Sequence, residues 1–175
     1  MKKSNLIFIF YFFLLFFNVN TSKAENITFI DLNRIFDSSE AGKKIIQEVK
    51  KKQKKNKDEL KKMQKKFDSD KEKLKAQKNV LSEDEFKGKI IKLEKDFKEY
   101  NKKIRDNNKN LTNFQLKARG EFYKYLTPIL ESYAKENSIS LILKKENVLI
   151  GKTNLDISSN ILEIFNNKIK KIEVK

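Results

Sequence analysis

Apolar residues recur at alternating steps of three and four residues through most of the stretch from 39 to 135. In its second half the series is Phe86, Ile90, Leu93, Phe97, Tyr100, Ile104, Leu111, Phe114 and Ala118, interrupted only by Asn107. In its first half it is Ile46, Val49, Leu60, Met63, Phe67, Leu74 and Leu81, with Gln53, Asn56, Asp70 and Gln77 as polar members. A period of 3.5 residues keeps one stripe of a helix facing a partner helix, so both halves are predicted to form a coiled-coil seam.

The two halves are separated by a break between Asn79 and Glu85. Ser82 followed by Glu85 is a capping box, which satisfies the free amide groups at the start of a helix. A turn at this point would fold the second helix back on the first, so that each buries the other's stripe. The prediction is an antiparallel helical hairpin with arms of roughly 60 Å, at about 1.5 Å per residue.

The flanks of the hairpin have a different pattern. Residues 26–32 (NITFIDL) alternate with a period of two, which predicts a short strand. Residues 139–143 and 148–150 are predicted to be two further strands, and Asp156 to cap a last helix. The fold class is therefore α+β, mostly α: a long coiled-coil arm on a small body with a three-stranded sheet. So small a body is expected to need oligomerisation for its stability.

The division into segments follows from these patterns. The arm is assigned to 39–135 with its tip near 79–85, and the body to 25–38 together with 136–175. Pro128, the only proline, is predicted to lie inside the second helix, where the arm meets the body. It would remove one backbone hydrogen bond there.

The first 24 residues have the layout of a secretory signal peptide. Two lysines precede an apolar run of 12 residues from Leu6 to Phe17, and Ser22-Lys23-Ala24 places small residues before a cut after Ala24. The alternative is an uncleaved anchor, but a spanning helix needs about 20 apolar residues. We therefore expect a chain that begins at Glu25 and functions in the periplasm.

The charge is concentrated on the arm. The full chain carries 40 basic and 24 acidic residues, and removal of residues 1–24 takes away three lysines, which leaves a net charge of +13. Between Lys43 and Lys109 there are 25 basic and 13 acidic residues. This excess is compatible with a solvated coiled coil, with nucleic-acid binding, or with attraction to acidic chains or an anionic lipid surface. No nucleic-acid partner is expected, because the chain lacks a recognisable reading element and is predicted to be exported.

Composition argues against most catalytic chemistry. The absence of cysteine and histidine excludes disulfides, the usual zinc and haem sites, and any triad that uses histidine. The four glycines are too scattered for a phosphate-binding loop. The chain is predicted not to be an enzyme and to need no cofactor or metal.

The order of these segments resembles the Skp (OmpH) family of periplasmic chaperones over about residues 25–170. The most similar stretches are ITFIDLNRIFDSSEAGKK at 27–44, YAKENSISLIL at 133–143 and DISSNIL at 156–162. The resemblance implies a homotrimer in which three hairpins extend from a β-rich body around a cavity. It also implies an ATP-independent role in holding unfolded outer-membrane β-barrel proteins before insertion. The alternative is a structural coiled-coil protein that links a membrane surface to a partner and has no client cavity.

Two sets of candidate residues follow. For client binding we select apolar residues off the seam grid and lysines of the arm, namely Val80, Ile91, Leu116, Lys54, Lys62 and Lys89. For the oligomerisation core we select apolar residues of the predicted strands, namely Ile27, Phe29, Ile30, Leu141, Leu143 and Leu149.

Overall fold

A computed structural model describes residues 25–174 of the chain. The predicted signal peptide and its cleavage after Ala24 concern residues outside this range. The described chain comprises, in order, strand β1 (Ile27–Ile30), helices α1 (Leu32–Ser38), α2 (Glu40–Ala76) and α3 (Glu83–Glu136), strand β2 (Leu141–Lys144), two 3-10 turns (Lys145–Asn147 and Thr153–Leu155) and helix α4 (Ser158–Lys168). Within these residues, no helix combines the length and the apolar character that a membrane span requires.

The two strands come from opposite ends of the described chain and pair in parallel. In their register Ile27 lies opposite Leu141, and Phe29 lies opposite Leu143. The hairpin formed by α2 and α3 therefore lies between two paired strands in the sequence, so it must leave the body and return to it.

The predicted third strand at 148–150 is wrong. In the described residues the sheet has two strands, and the other side of β1 makes only an isolated bridge between Phe29 and Asp156. Leu149 and Ile150 are instead exposed to solvent. The chain meets the Phe29 ring at the following residue, since a Cβ added at Gly151 would lie 2.8 Å from that ring. The loop therefore reaches a face of the sheet and does not extend its edge.

The helix starts follow from local capping. The Asp31 side chain accepts a hydrogen bond from the Arg34 amide at the start of α1, and the Ser39 hydroxyl accepts one from the Gly42 amide at the start of α2. The predicted capping box at Ser82 and Glu85 is confirmed, with both of its reciprocal bonds present. These contacts satisfy amide groups that have no partner inside their helices.

The hairpin is formed as predicted, although its helices are unequal. α2 has 37 residues and α3 has 54, which correspond to lengths of about 55 and 80 Å. The burial pattern confirms the predicted seam. Every seam position from Ile46 to Leu81 and from Phe86 to Ala118 is buried or half-buried, except Gln53 and Phe97.

The hydrophobic core lies in the body and at the root of the arm. Phe122 is at its centre: its ring lies 4.9 Å from that of Phe36 and 4.7 Å from that of Phe165. The core cluster extends along α2 only to Ile46 and begins on α3 at Ala118. Residues 47–117 therefore lie outside the core cluster.

Pro128 lies inside α3, as the continuing apolar spacing predicts, and the helix extends eight residues beyond it to Glu136. The neighbouring positions Leu126 and Ile129 are 1% and 5% exposed and belong to the core cluster. Packing of this segment offsets the loss of the backbone hydrogen bond that proline cannot donate.

Candidate functional site

Contacts along the arm fix how α2 and α3 face each other. The Glu59 carboxylate and the Lys103 ammonium form an ion pair of 2.9 Å between the helices. Towards the tip the rings of Phe67 and Phe97 lie 5.4 Å apart. Towards the root the Lys52 ammonium lies 4.5 Å from the centre of the Phe114 ring. Residue numbers rise along one helix as they fall along the other, as an antiparallel pair requires.

The tip is held by charge-assisted bonds. The Glu85 carboxylate accepts hydrogen bonds from the hydroxyl (2.7 Å) and the amide (3.1 Å) of Ser82. These bonds favour the ionised form and lower the pKa of Glu85. Lys89 Nζ donates to Gln77 Oε1 over 2.6 Å and so joins the end of α2 to the start of α3.

The candidate lysines lie in two places. Lys54 and Lys62 are exposed and line a groove beside the Glu59–Lys103 ion pair, with Lys51 and Lys55 on the same surface. Lys89, as described, is part of the contact at the tip. The three lysines are not brought together into one site.

The candidate apolar residues are exposed, as predicted. Val80 at the tip is 83% exposed, and Ile91 and Leu116 on α3 are 66% and 65% exposed. Leu116 lines a groove of about 510 Å³ at the root of the arm, whose apolar wall includes Phe36, Ile45 and Val49. The sequence indicates that Leu116 lies off the seam, but the groove exists only because α1 packs beside the two long helices.

The body presents an apolar outer sheet face. Successive strand residues point to opposite faces, so Ile27 and Phe29 share one face with Leu141 and Leu143. Ile27 and Leu141 are 40% and 48% exposed. Leu149 is exposed on the loop that reaches this face, and so is its neighbour Ile150, which is not among the candidate residues.

Two of the candidate body residues lie inside the chain itself. Ile30 is on the opposite face of the sheet, 2% exposed within the core cluster. Phe29 is on the outer face but 8% exposed, with its ring against Gly151. Both therefore stabilise the protomer, whereas Ile27, Leu141 and Leu149 offer open surface.

An ionic contact joins the sheet to the last helix. The prediction that Asp156 caps this helix is wrong: Ile157 is the N-cap of α4, and no side chain makes a capping bond there. Asp156, one residue earlier, accepts hydrogen bonds from the hydroxyl and the amide of Ser158, and Lys145 Nζ lies 3.1 Å from its carboxylate. Burial raises the pKa of Asp156, but the Ser158 hydrogen bonds and Lys145 outweigh it, so the net shift is downward. The Ser158 hydroxyl also accepts the Asp31 amide over 2.8 Å, which ties α4 to the end of β1.

Asn107 is a polar residue buried inside the seam. It is 9% exposed, and its Nδ2 has no hydrogen-bond partner in the described residues. Its position on the apolar grid was the available signal. A polar seam residue costs stability and specifies how two helices align.

Among residues 25–174 there is no group of three histidine, cysteine, aspartate or glutamate side chains arranged to hold a metal ion. The notable features are instead an arm with exposed lysines and apolar side chains, and a body with an open apolar sheet face.

Comparison with known proteins assigns a family and a fold. The family described as outer membrane protein (OmpH-like) matches residues 26–165. A crystal structure of a candidate outer membrane chaperone (OmpH-like) from Caulobacter crescentus CB15 superposes with a TM-score of 0.79 at 19% sequence identity, covering 86% of this chain and 89% of that one. No protein of curated function matches the sequence.

Proposed function

This chain belongs to the OmpH-like family of outer membrane proteins, and on that premise we propose that it is a periplasmic chaperone that holds unfolded outer-membrane β-barrel proteins. It works without ATP and keeps its clients from aggregating before they are inserted. The similar protein from Caulobacter crescentus is described as a candidate chaperone of this family, which supports the proposal.

The observation that carries the proposal is the long arm outside the core. Residues 47–117 lie beyond the core cluster, and there the seam residues of α2 and α3 face each other. The outer surfaces of the arm carry apolar side chains such as Val80 and Ile91 among many lysines. Such a surface can make many weak contacts with an unfolded chain, which is what a holding chaperone requires.

We further propose that the protein assembles as a homotrimer through its body. β2 has an outer edge without a partner strand in the described residues, and open edges with apolar faces favour association. The contact surface consists of Ile27, Leu141, Leu143 and Leu149, held in position by the buried Phe29 and Ile30. Arms from three copies then enclose a shared space for the client.

The test is to measure the mass of the protein purified from the periplasm by light scattering. It is measured alone and after an unfolded outer-membrane β-barrel protein is diluted into it from denaturant. We expect three copies that take up one soluble client, with turbidity suppressed and no nucleotide added. A chain that leaves the client to aggregate would refute the holding function and favour the structural linker between a membrane surface and a partner.

A further inference from the structure

One face of α3 carries an uninterrupted row of cations. At about 100° per residue, positions four, three, four, three, four, four and three residues apart fall on one line of the helix. Starting from Ile91, that line comprises Ile91, Lys95, Lys98, Lys102, Arg105, Lys109, Asn113 and Leu116. We call its five cations, Lys95, Lys98, Lys102, Arg105 and Lys109, the basic row. It lies on the side of α3 opposite the seam.

The cations of the basic row are not held in ion pairs. All five cations are exposed, and no ion pair in the described residues includes any of them. Glu94, Glu99 and Asp106 lie three or four residues from cations of the row, where helical ion pairs can form, but none of the three forms an ion pair within the described part of the chain. Like charges at the same spacing disfavour a helix, and three carboxylates offset the repulsion among five cations only in part.

The corresponding face of α2 differs at its ends. A row of five exposed lysines recurs there at steps of three and four residues, namely Lys50, Lys54, Lys57, Lys61 and Lys65. That line continues to Gln47 at one end and to Asp68 at the other, so neither end carries an apolar side chain. The two helices therefore share the basic row and differ in what lies at its ends.

Each end of the line is marked by an exposed apolar side chain. Ile91 is 66% exposed and Leu116 is 65% exposed. They are separated by about 38 Å along the helix, a distance that an extended chain of about eleven or twelve residues spans. The cations between them are about 5 Å apart along the axis, and alternate residues of an extended chain are about 6.6 Å apart, within reach of flexible lysine side chains.

We propose that this face of α3 docks an extended segment of an unfolded client that has acidic residues at alternate positions and an apolar residue at each end. The charge and spacing of the row select the acidic positions, and Ile91 and Leu116 hold the ends. The inference rests on the proposed chaperone function and specifies which client segments the arm recognises.

The experiment measures binding of a fluorescent peptide to the purified full-length protein by anisotropy. The probe has about twelve residues, with leucine at each end and glutamate at every second position between them. The row variant replaces all five cations of the basic row by glutamine. The matched control replaces Lys50, Lys54, Lys57, Lys61 and Lys65 of α2 by glutamine, which removes the same charge from the same arm. Helix content is compared by circular dichroism.

We expect the row variant to weaken binding at least about 10-fold, as the loss of five exposed ion pairs implies, and the α2 control to weaken it less than about 3-fold. Replacing Ile91 and Leu116 by serine is expected to weaken binding as well, with little change in its salt dependence. Equal weakening by the row variant and the α2 control would overturn the proposal, because bulk charge would then explain the attraction. Tighter binding to anionic phospholipid vesicles than to the peptide, lost in the row variant, would overturn it in favour of a lipid surface.

The test of the docking face and the test of the holding function can succeed or fail independently. If the protein binds the peptide through the row and yet does not protect a β-barrel client, the holding function is refuted and the docking face stands. If it protects the client equally well with and without the row, the docking face is refuted and the holding function stands.

Discussion

At the scale of single residues, Gly42 decides whether α2 can start where it does. A Cβ placed there would lie 1.7 Å from the Phe36 carbonyl oxygen, so the close approach of α1 and α2 requires a residue without a side chain. The sequence shows the glycine but does not show the neighbouring backbone.

Gly42→Ala is expected to destabilise the body by about 1–3 kcal/mol or more, the range for inserting an atom into filled space. Urea unfolding followed by circular dichroism measures the change. Gly120→Ala is the matched control, because it is also a glycine in a helix but has no atom near the added Cβ. The expectation is refuted if both variants shift the unfolding midpoint in the same direction.

Asp156 makes the stability of the body dependent on pH. Its pKa is lowered in the folded chain, so its contribution is fully present above the unfolded value of about 3.9 and is lost as the pH falls through the lower folded value. Asp156→Asn is expected to lower the free energy of unfolding by about 1 kcal/mol at pH 7, the usual net contribution of a hydrogen bond. The difference from the wild type should vanish below the folded pKa.

Thermal melts of both proteins between pH 2 and pH 7 test this dependence. Asp58→Asn, on the surface of the arm, serves as the control for the general effect of removing one negative charge. If Asp156→Asn lowers the melting temperature by the same amount at every pH in this range, the stabilisation does not come from the ionised carboxylate of Asp156.

At the scale of elements, Gly88 and Gly120 are two positions at which helix α3 can bend. A Cβ at either position would meet no atom within 4 Å, so neither glycine is required by packing. Each costs about 1 kcal/mol relative to alanine in a helix. We infer that these two positions let α3 bend, which under the proposed function would suit the arm to clients of different size.

The double variant Gly88→Ala with Gly120→Ala is expected to stiffen α3 and to slow amide hydrogen exchange along it. It should also narrow the range of client sizes that the protein keeps soluble. Lys117→Ala, at an exposed position of the same helix, is the control without a change of glycine. If amide exchange slows in the double variant but the range of client sizes is unchanged, the flexibility of α3 does not determine which clients are held.

The elements also show where local reasoning succeeds. The seam and the cap at Ser82 depend on residues a few positions apart, so the sequence is sufficient to place them. The segment from Val148 to Ile150 has the same apolar character as a buried strand. Whether it pairs with the sheet or leads into the contact with Phe29 depends on a residue more than a hundred positions away. The predicted strand failed for that reason.

At the scale of the whole molecule, the outer sheet face is the surface on which assembly is predicted to depend. Leu141→Asp would place a charge at the centre of the proposed contact without disturbing the core, since Leu141 is 48% exposed in the single chain. Burying an unpaired charge is strongly unfavourable, so the variant is expected to have a smaller mass than the wild type.

Sedimentation or light scattering at several concentrations measures this change. Ile91→Asp is the matched control: it introduces the same charge at an exposed apolar position of the arm and should leave the mass unaltered. An unaltered mass of a folded Leu141→Asp protein would show that the copies associate elsewhere.

The sequence by itself determined the two long helices, their seam, the turn between them and the concentration of charge on the arm, because these features repeat over short distances and each turn reinforces the next. It also indicated that the ends of the described chain form one body. Only the tertiary structure decided that the sheet has two strands, that Ile30 faces inward while Ile27 and Leu141 face outward, and that α1 closes the groove beside Leu116. Those outcomes depend on contacts between residues far apart in the chain. The packing of one element limits where a distant element can lie, and residues close in sequence carry no record of that limit.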